Sequence, residues 1–135
     1  MPKNVPDPLT SPRGLTMPTS KIRLGQIAHA RSGDKGNHAN IGVVAYTDAG
    51  FEWLRAELTA DRVAEFFQGL GATRIERFEL PRVQSLNFLL YNALAGGASR
   101  SLRIDTQGKL LGTAILELPL PAPENLSEML LPPPS

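Results

Sequence analysis

The sequence contains no cysteine, which excludes disulfides, thiol nucleophiles and Cys-ligated zinc or iron–sulfur centres. Histidine is nearly as scarce, with only His29 and His38, so a multi-His metal site within one chain is not expected and no metal is assigned. No run approaches the roughly 20 apolar residues a membrane-spanning helix needs. The N-terminal MPKNVPDPLTSPRG lacks the apolar segment of a secretory signal. Net charge is only +1, without the clustered basic surface that non-specific nucleic-acid binding requires. The default expectation is a cytoplasmic protein with no nucleic-acid, membrane or cofactor partner. Apolar residues at 41% of 135 are enough for one core of ordinary size.

Proline is plentiful but unevenly placed: five of twelve lie in residues 1–18, six in 119–135, and only Pro81 between. Proline fixes φ and removes a backbone donor, so such segments make neither helix nor central strand. The expected organisation is an extended or disordered arm over 1–20, a domain over 21–120 and a Pro/Leu-rich tail over 121–135. Within that tail, Glu124–Leu131 could form a short helix packing on a neighbouring subunit, or dock loosely on the domain.

Hydrophobic period divides the domain further. KIRLGQIAHAR (21–31) shifts its apolar phase after Gly25, which predicts a strand with a bulge. IGVVAYT (41–47) predicts a central strand. Asp48 is the expected cap of a helix through Leu58, and a helical pattern continues from Asp61 to Gly71, as one kinked helix or two. TRIERFELPRV (73–83) alternates as a strand. SLNFLLYNALAGG is ambiguous between helix and strand over 85–95, with Ser85 and Gly96-Gly97 favouring a helix. Two strands are predicted at 100–105 and 109–118 around an Asp-Thr-Gln-Gly turn. The expected architecture is an α+β two-layer sandwich, mainly antiparallel, in the order β-β-α-β-α-β-β, with helices on one face.

Between the first two strands lies RSGDKGNHAN. Arg31 and Lys35 bring positive charge, the first as a planar fork for carboxylate or phosphate, the second as a mobile point charge. Gly33 and Gly36 permit backbone N–H groups to turn toward an anion, and Ser32, Asn37 and Asn40 add neutral polar groups. Asp34 could pair with either cation or serve as a base, and His38 is a second candidate base. The same residues also make ordinary surface turns. The spacing is not that of a phosphate-binding loop for nucleoside triphosphates. Arg82, Asn87, Asn92, Gly96, Gly97, Arg100 and Arg103 make a second polar cluster, and if the sheet brings Gly96-Gly97-Ala98-Ser99-Arg100 near this loop, two Gly-rich backbones and several Arg line one cleft.

RSGDKGNHANIGVVA resembles the start of the small C-terminal domain of acyclic terpene utilisation AtuA-family proteins, and VQSLNFLLYNALAGGASRSLRIDTQGKLLGTAILEL is similar to its later part. The resemblance covers about residues 21–119. It implies a ferredoxin-like fold and a setting in branched or terpenoid acid catabolism through coenzyme A thioesters. In that family the small domain follows a large one, so either a large AtuA-like chain is a separate partner of this one, or the small domain acts alone as an oligomer. Motif membership extends to Arg31, Ser32, Gly33, Asp34, Lys35, Gly36, Asn37 and Asn40 as ligand-binding candidates, with Arg100 from the second segment. Asp34, Lys35 and His38 are the candidate catalytic residues. The expected role is an accessory subunit contributing an anion-binding loop to an acyl-CoA or carboxylate site. The alternatives are a stand-alone acyl-CoA lyase or hydratase, and a purely structural oligomer. A homo-oligomer, taken as a dimer, is expected in each case.

Overall fold

The computed structural model describes residues 20–93 and 110–131. The chain opens with β1 (Lys21–Arg23) and a single 3-10 turn over Leu24–Gln26, which takes the place of the expected bulge. Leu24 and Ile27 are fully buried on either side of that turn. Two long strands follow, β2 (Ala28–Lys35) and β3 (His38–Ala45), paired along their whole length. β3 buries alternate residues, Ala39, Ile41, Val43 and Ala45, and leaves the others half-buried. A strand covered on one face only shows this period of two.

Two helices succeed β3, each started by a threonine. The Thr47 hydroxyl accepts from Gly50 N at 3.0 Å to begin α1 (Asp48–Glu57), and the Thr59 hydroxyl accepts from Arg62 N at 3.1 Å to begin α2 (Ala60–Phe66). Asp48, the expected cap, is instead the first helical residue, where its charge suits the helix N-terminus. Phe51, Leu54, Leu58, Val63 and Leu70 face the sheet and are buried. Gly71 follows with φ 71°, as a left-handed stop requires. Thr47→Ala should cost about 1 kcal/mol, which for a domain of this size lowers the melting temperature by about 4–8 °C. Thermal denaturation followed by circular dichroism would measure it.

β4 (Arg74–Leu80) and β5 (Ser85–Tyr91) complete the sheet in the order β2-β3-β5-β4, all neighbours antiparallel. β3 and β4 are therefore parallel with β5 between them, and α1–α2 make the crossover of a split β-α-β unit. Residues 85–91 are thus a strand. The helical spacing of Leu86, Leu89 and Leu90 is overridden by the alternation of Leu86, Phe88 and Leu90, all fully buried in a central strand. Ser85 caps nothing; its hydroxyl donates to Val43 O at 3.2 Å.

The opposite correction applies near the C-terminus. Where a strand over 109–118 is expected, the chain forms α3 (Leu110–Ile115), with Leu111, Ile115 and Leu118 buried at helical spacing. Its companion strand at 100–105 lies outside the described residues. α3 packs on β2 and β3, so among the described residues helices cover one sheet face, as expected of a two-layer α+β sandwich. β6 (Pro119–Pro121) returns to pair with β1 in a separate two-stranded ribbon. Among the described residues the order is therefore β-β-β-α-α-β-β-α-β. Beyond it Trp53 Nε1 donates to Pro121 O at 3.0 Å, and Met129 is buried against Gly50. Residues 124–131, read as either a loosely docked tail or a short helix, make one 3-10 turn, Leu126–Glu128. Among the described residues no helix is long and apolar enough to cross a membrane.

Candidate functional site

Arg31 to Asn40 is not a loop. Residues 31–35 and 38–40 are ladder positions, and the turn is confined to Gly36 and Asn37. Gly36 has φ 66°, the positive value that a two-residue hairpin connection places on its first residue. A ladder commits backbone N–H groups in alternation to the partner strand, so a cradle of consecutive free N–H groups does not form over 33–36. Any ligand on this segment must be held mainly by side chains.

Alternation sorts those side chains. Paired positions across a ladder share a face, which groups Arg31 with Gly42, Gly33 with Asn40 and His29 with Val44 on the face that carries no helix among the described residues. Ser32 and Asp34 belong to the helix-covered face, opposite Ile41 and Ala39. Ser32 has a structural task there. Its hydroxyl accepts from Gly112 N at 2.8 Å, satisfying an N–H in the first turn of α3 from a different strand. Asp34 is exposed and stands across the sheet plane from Arg31 and Asn40. Position 35 is opposite His38 in the register, and Asn37 is exposed in the turn.

The open face extends onto β5 and β4. One row reads Arg31, Gly42, Asn87, Phe78, and the next reads Gly33, Asn40, Leu89, Glu76. A Cβ on Gly33 would meet no atom within 4 Å, and one on Gly42 would stand 3.7 Å from Asn87 Oδ1. The two glycines place no side chain between Arg31, Asn40 and Asn87 on this face. Arg31 is exposed and makes no ion pair among the described residues, whereas Arg23, Arg55, Arg62, Arg74 and Arg77 each do. Asn40 and Asn87 are half-buried beside it. The arrangement offers one fork-shaped cation and two carboxamides to an oxyanion.

His38 is held at the end of this face. Its Nδ1 accepts from Asn92 N at 2.9 Å, which leaves the ring proton on Nε2, and its ring meets Tyr91 edge-on at 5.1 Å. Asn92 has φ 61°, and its side-chain amide donates to Thr73 Oγ1 at 2.9 Å. Tyr91 donates to Glu76 at 2.7 Å, and Arg74 stacks over the Tyr91 ring at 4.1 Å. Tyr91 first, then the Glu76 carboxylate, raise the Arg74 guanidinium above its ordinary value. These mutual contacts tie the hairpin tip to β5 and engage the very groups that could otherwise act as acid or base.

Of the second polar cluster, Asn87 pairs with Gly42, the Asn92 N–H donates to His38 Nδ1, and Arg82 is exposed in the turn after β4; the expected approach of residues 96–100 to this segment falls outside the described residues. Gly96, Gly97, Arg100 and Arg103 lie outside the described residues. Gly42 and Gly112 escaped the sequence reading. A glycine inside the apolar run IGVV was the available signal for Gly42, because such a residue marks a close approach. The AtuA ferredoxin-like domain family model matches residues 22–121. No curated protein and no solved structure matches the chain.

Proposed function

Since the chain belongs to the AtuA ferredoxin-like domain family, we propose that it is an accessory domain that holds an anionic ligand on the open face of its sheet and joins a large AtuA-like partner chain. The observation that carries this reading is Arg31, an exposed guanidinium without an ion pair among the described residues, on the sheet face that also carries Asn40 and Asn87 with glycines between them. A guanidinium fork takes a carboxylate or phosphate through two parallel hydrogen bonds, and carboxamides add neutral donors that do not repel the anion. An acyl-CoA or a free branched carboxylate, as in terpenoid acid catabolism, carries the required group.

The domain contributes binding rather than a chemical step. A stand-alone lyase or hydratase needs a base beside the anion site, and the residues offered for that role are placed otherwise. Asp34 is on the far face of the sheet, and His38 Nδ1 is engaged by Asn92. Calorimetric titration of the purified protein with a branched free acid and with its coenzyme A thioester tests ligand binding. Affinity capture from the native host, with identification of a large AtuA-like chain, tests the partner. Saturable heat with either ligand and recovery of that chain are expected. Absence of heat with both ligands, and recovery of this chain by itself, would overturn the reading.

A further inference from the structure

β4 forms one edge of the four-stranded sheet, and the other edge is β2. The phase of the hydrogen bonds tells which β4 groups lie on the outer side. Ala45 N donates to Gln84 O at 2.9 Å, so Ala45 and Gln84 form a hydrogen-bonded pair next to the β3–β5 ladder. Alternation then directs the backbone groups of Ser85, Asn87, Leu89 and Tyr91 toward β4, where they meet Leu80, Phe78, Glu76 and Arg74. The N–H and C=O groups of Ile75, Arg77 and Glu79 consequently point outward, with no backbone partner among the described residues.

The same edge collects exposed apolar surface. Phe78 is 45% exposed, Leu80 46% and Val83 60%, and the remaining exposed large apolar residues of the described chain, Leu130 and Leu131, belong to the tail. A cleft of about 470 Å³ is lined by Glu79, Leu80, Pro81, Arg82 and Val83 at the end of this strand. Natural sheets usually blunt an edge of this kind. The charges on β4 alternate in sign instead of sharing one, so they do not repel a second strand of the same sequence.

We propose that β4 pairs antiparallel with β4 of a second copy of this chain about a two-fold axis through Phe78, joining two four-stranded sheets into one of eight. A two-fold axis normal to the sheet preserves faces, so it must pass through a residue position. Charge then selects the register. An axis at Glu76, Arg77 or Glu79 sets that residue against its own copy, like charge on like charge. An axis at Ile75 overlaps only Arg74–Glu76 within the strand and leaves Phe78 and Leu80 exposed. An axis at Phe78 sets Arg77 opposite Glu79 of the second copy, twice, and these are outward-pointing residues able to exchange N–H···O=C bonds. Phe78 then meets its own copy in a non-hydrogen-bonded pair, where cross-strand side chains approach most closely. Arg31 lies on the opposite half of the sheet and stays open to a ligand.

The chain has no cysteine, so a single introduced thiol reports this register. Across a non-hydrogen-bonded pair the Cα atoms stand about 4.5 Å apart, within disulfide reach. Phe78→Cys should convert to a covalent dimer under mild oxidation. Leu80→Cys, whose copy lies about four strand residues away along the pair, should not. By sedimentation equilibrium the wild type should be dimeric, and Glu79→Arg should raise the dimer dissociation constant at least tenfold. A monomeric wild type at about 100 µM, or a Phe78→Cys that cross-links no faster than Leu80→Cys, would overturn the proposal. Calorimetric binding at Arg31 is measured separately and can fail or succeed independently of it.

Discussion

Gly112→Ala should destabilise the domain by about 2–3 kcal/mol, the loss expected when one methyl is forced into close-packed backbone. A Cβ at residue 112 would lie 3.0 Å from Arg31 C, Ser32 N and Ser32 Oγ. Two of those atoms belong to the backbone of β2, which is paired along its length with β3 and cannot yield as a flexible side chain does. Relief would come from lifting α3 off the sheet, and that would stretch the 2.8 Å bond from Gly112 N to Ser32 Oγ. Ser32→Ala isolates the second component. It removes the acceptor without adding bulk and should cost about 1 kcal/mol, as other helix-start hydroxyls do. Ser32→Ala/Gly112→Ala should lose less than the sum, because part of the Gly112→Ala strain is the contact with the hydroxyl that Ser32→Ala deletes. Urea denaturation of the four proteins closes the cycle. A Gly112→Ala variant within 0.5 kcal/mol of wild type, roughly the scatter of surface substitutions, would show that α3 does not seat on Ser32 as described.

That contact also explains why the sequence was legible in some places and not in others. β3 was readable because its alternation is complete, and the pair α1–α2 because both threonine caps and the Phe51, Leu54, Leu58 spacing are local. The segments misassigned or left ambiguous are those whose state is fixed by a distant partner. LLGTAIL satisfies a strand pattern as well as a helical one, and what decides for helix is packing of Leu111 and Ile115 on β2 and β3, some 70 to 80 residues earlier in sequence. SLNFLLY becomes a strand because β3 and β4 flank it on both sides. For the candidate site, composition offered Arg31 and Asn40 together with Ser32 and Asp34 and did not show that the two pairs lie on opposite faces. That separation follows from a turn only two residues long, and composition rich in Gly, Asp and Asn looks the same in a long loop as in a short turn. Asn87 appeared in the second polar cluster, yet its place beside Gly42 needs the register of β3 with β5.

Arg31→Ala should weaken binding of the anionic ligand by about 10- to 100-fold, corresponding to the roughly 1.5–3 kcal/mol of a hydrogen bond to a charged group. Folding stability should be unaffected, because the side chain is exposed and makes no ion pair among the described residues. Arg31→Lys separates charge from geometry. Lysine keeps the positive point charge but lacks the planar fork, so it should recover part of the affinity and not all of it. Asn87→Ala should have a smaller effect of a few-fold, since a carboxamide contributes a neutral donor. Affinity of the wild type should also fall between low and high salt, and that dependence should flatten in Arg31→Ala as the exposed cation disappears. Calorimetric titration with the branched acid or its thioester, alongside urea denaturation, measures both quantities. Affinity within twofold of wild type would remove Arg31 from the site. A matching fall in stability would instead assign it a role in the fold, and the face carrying Gly33 and Gly42 would then lose the cation that makes it an anion site.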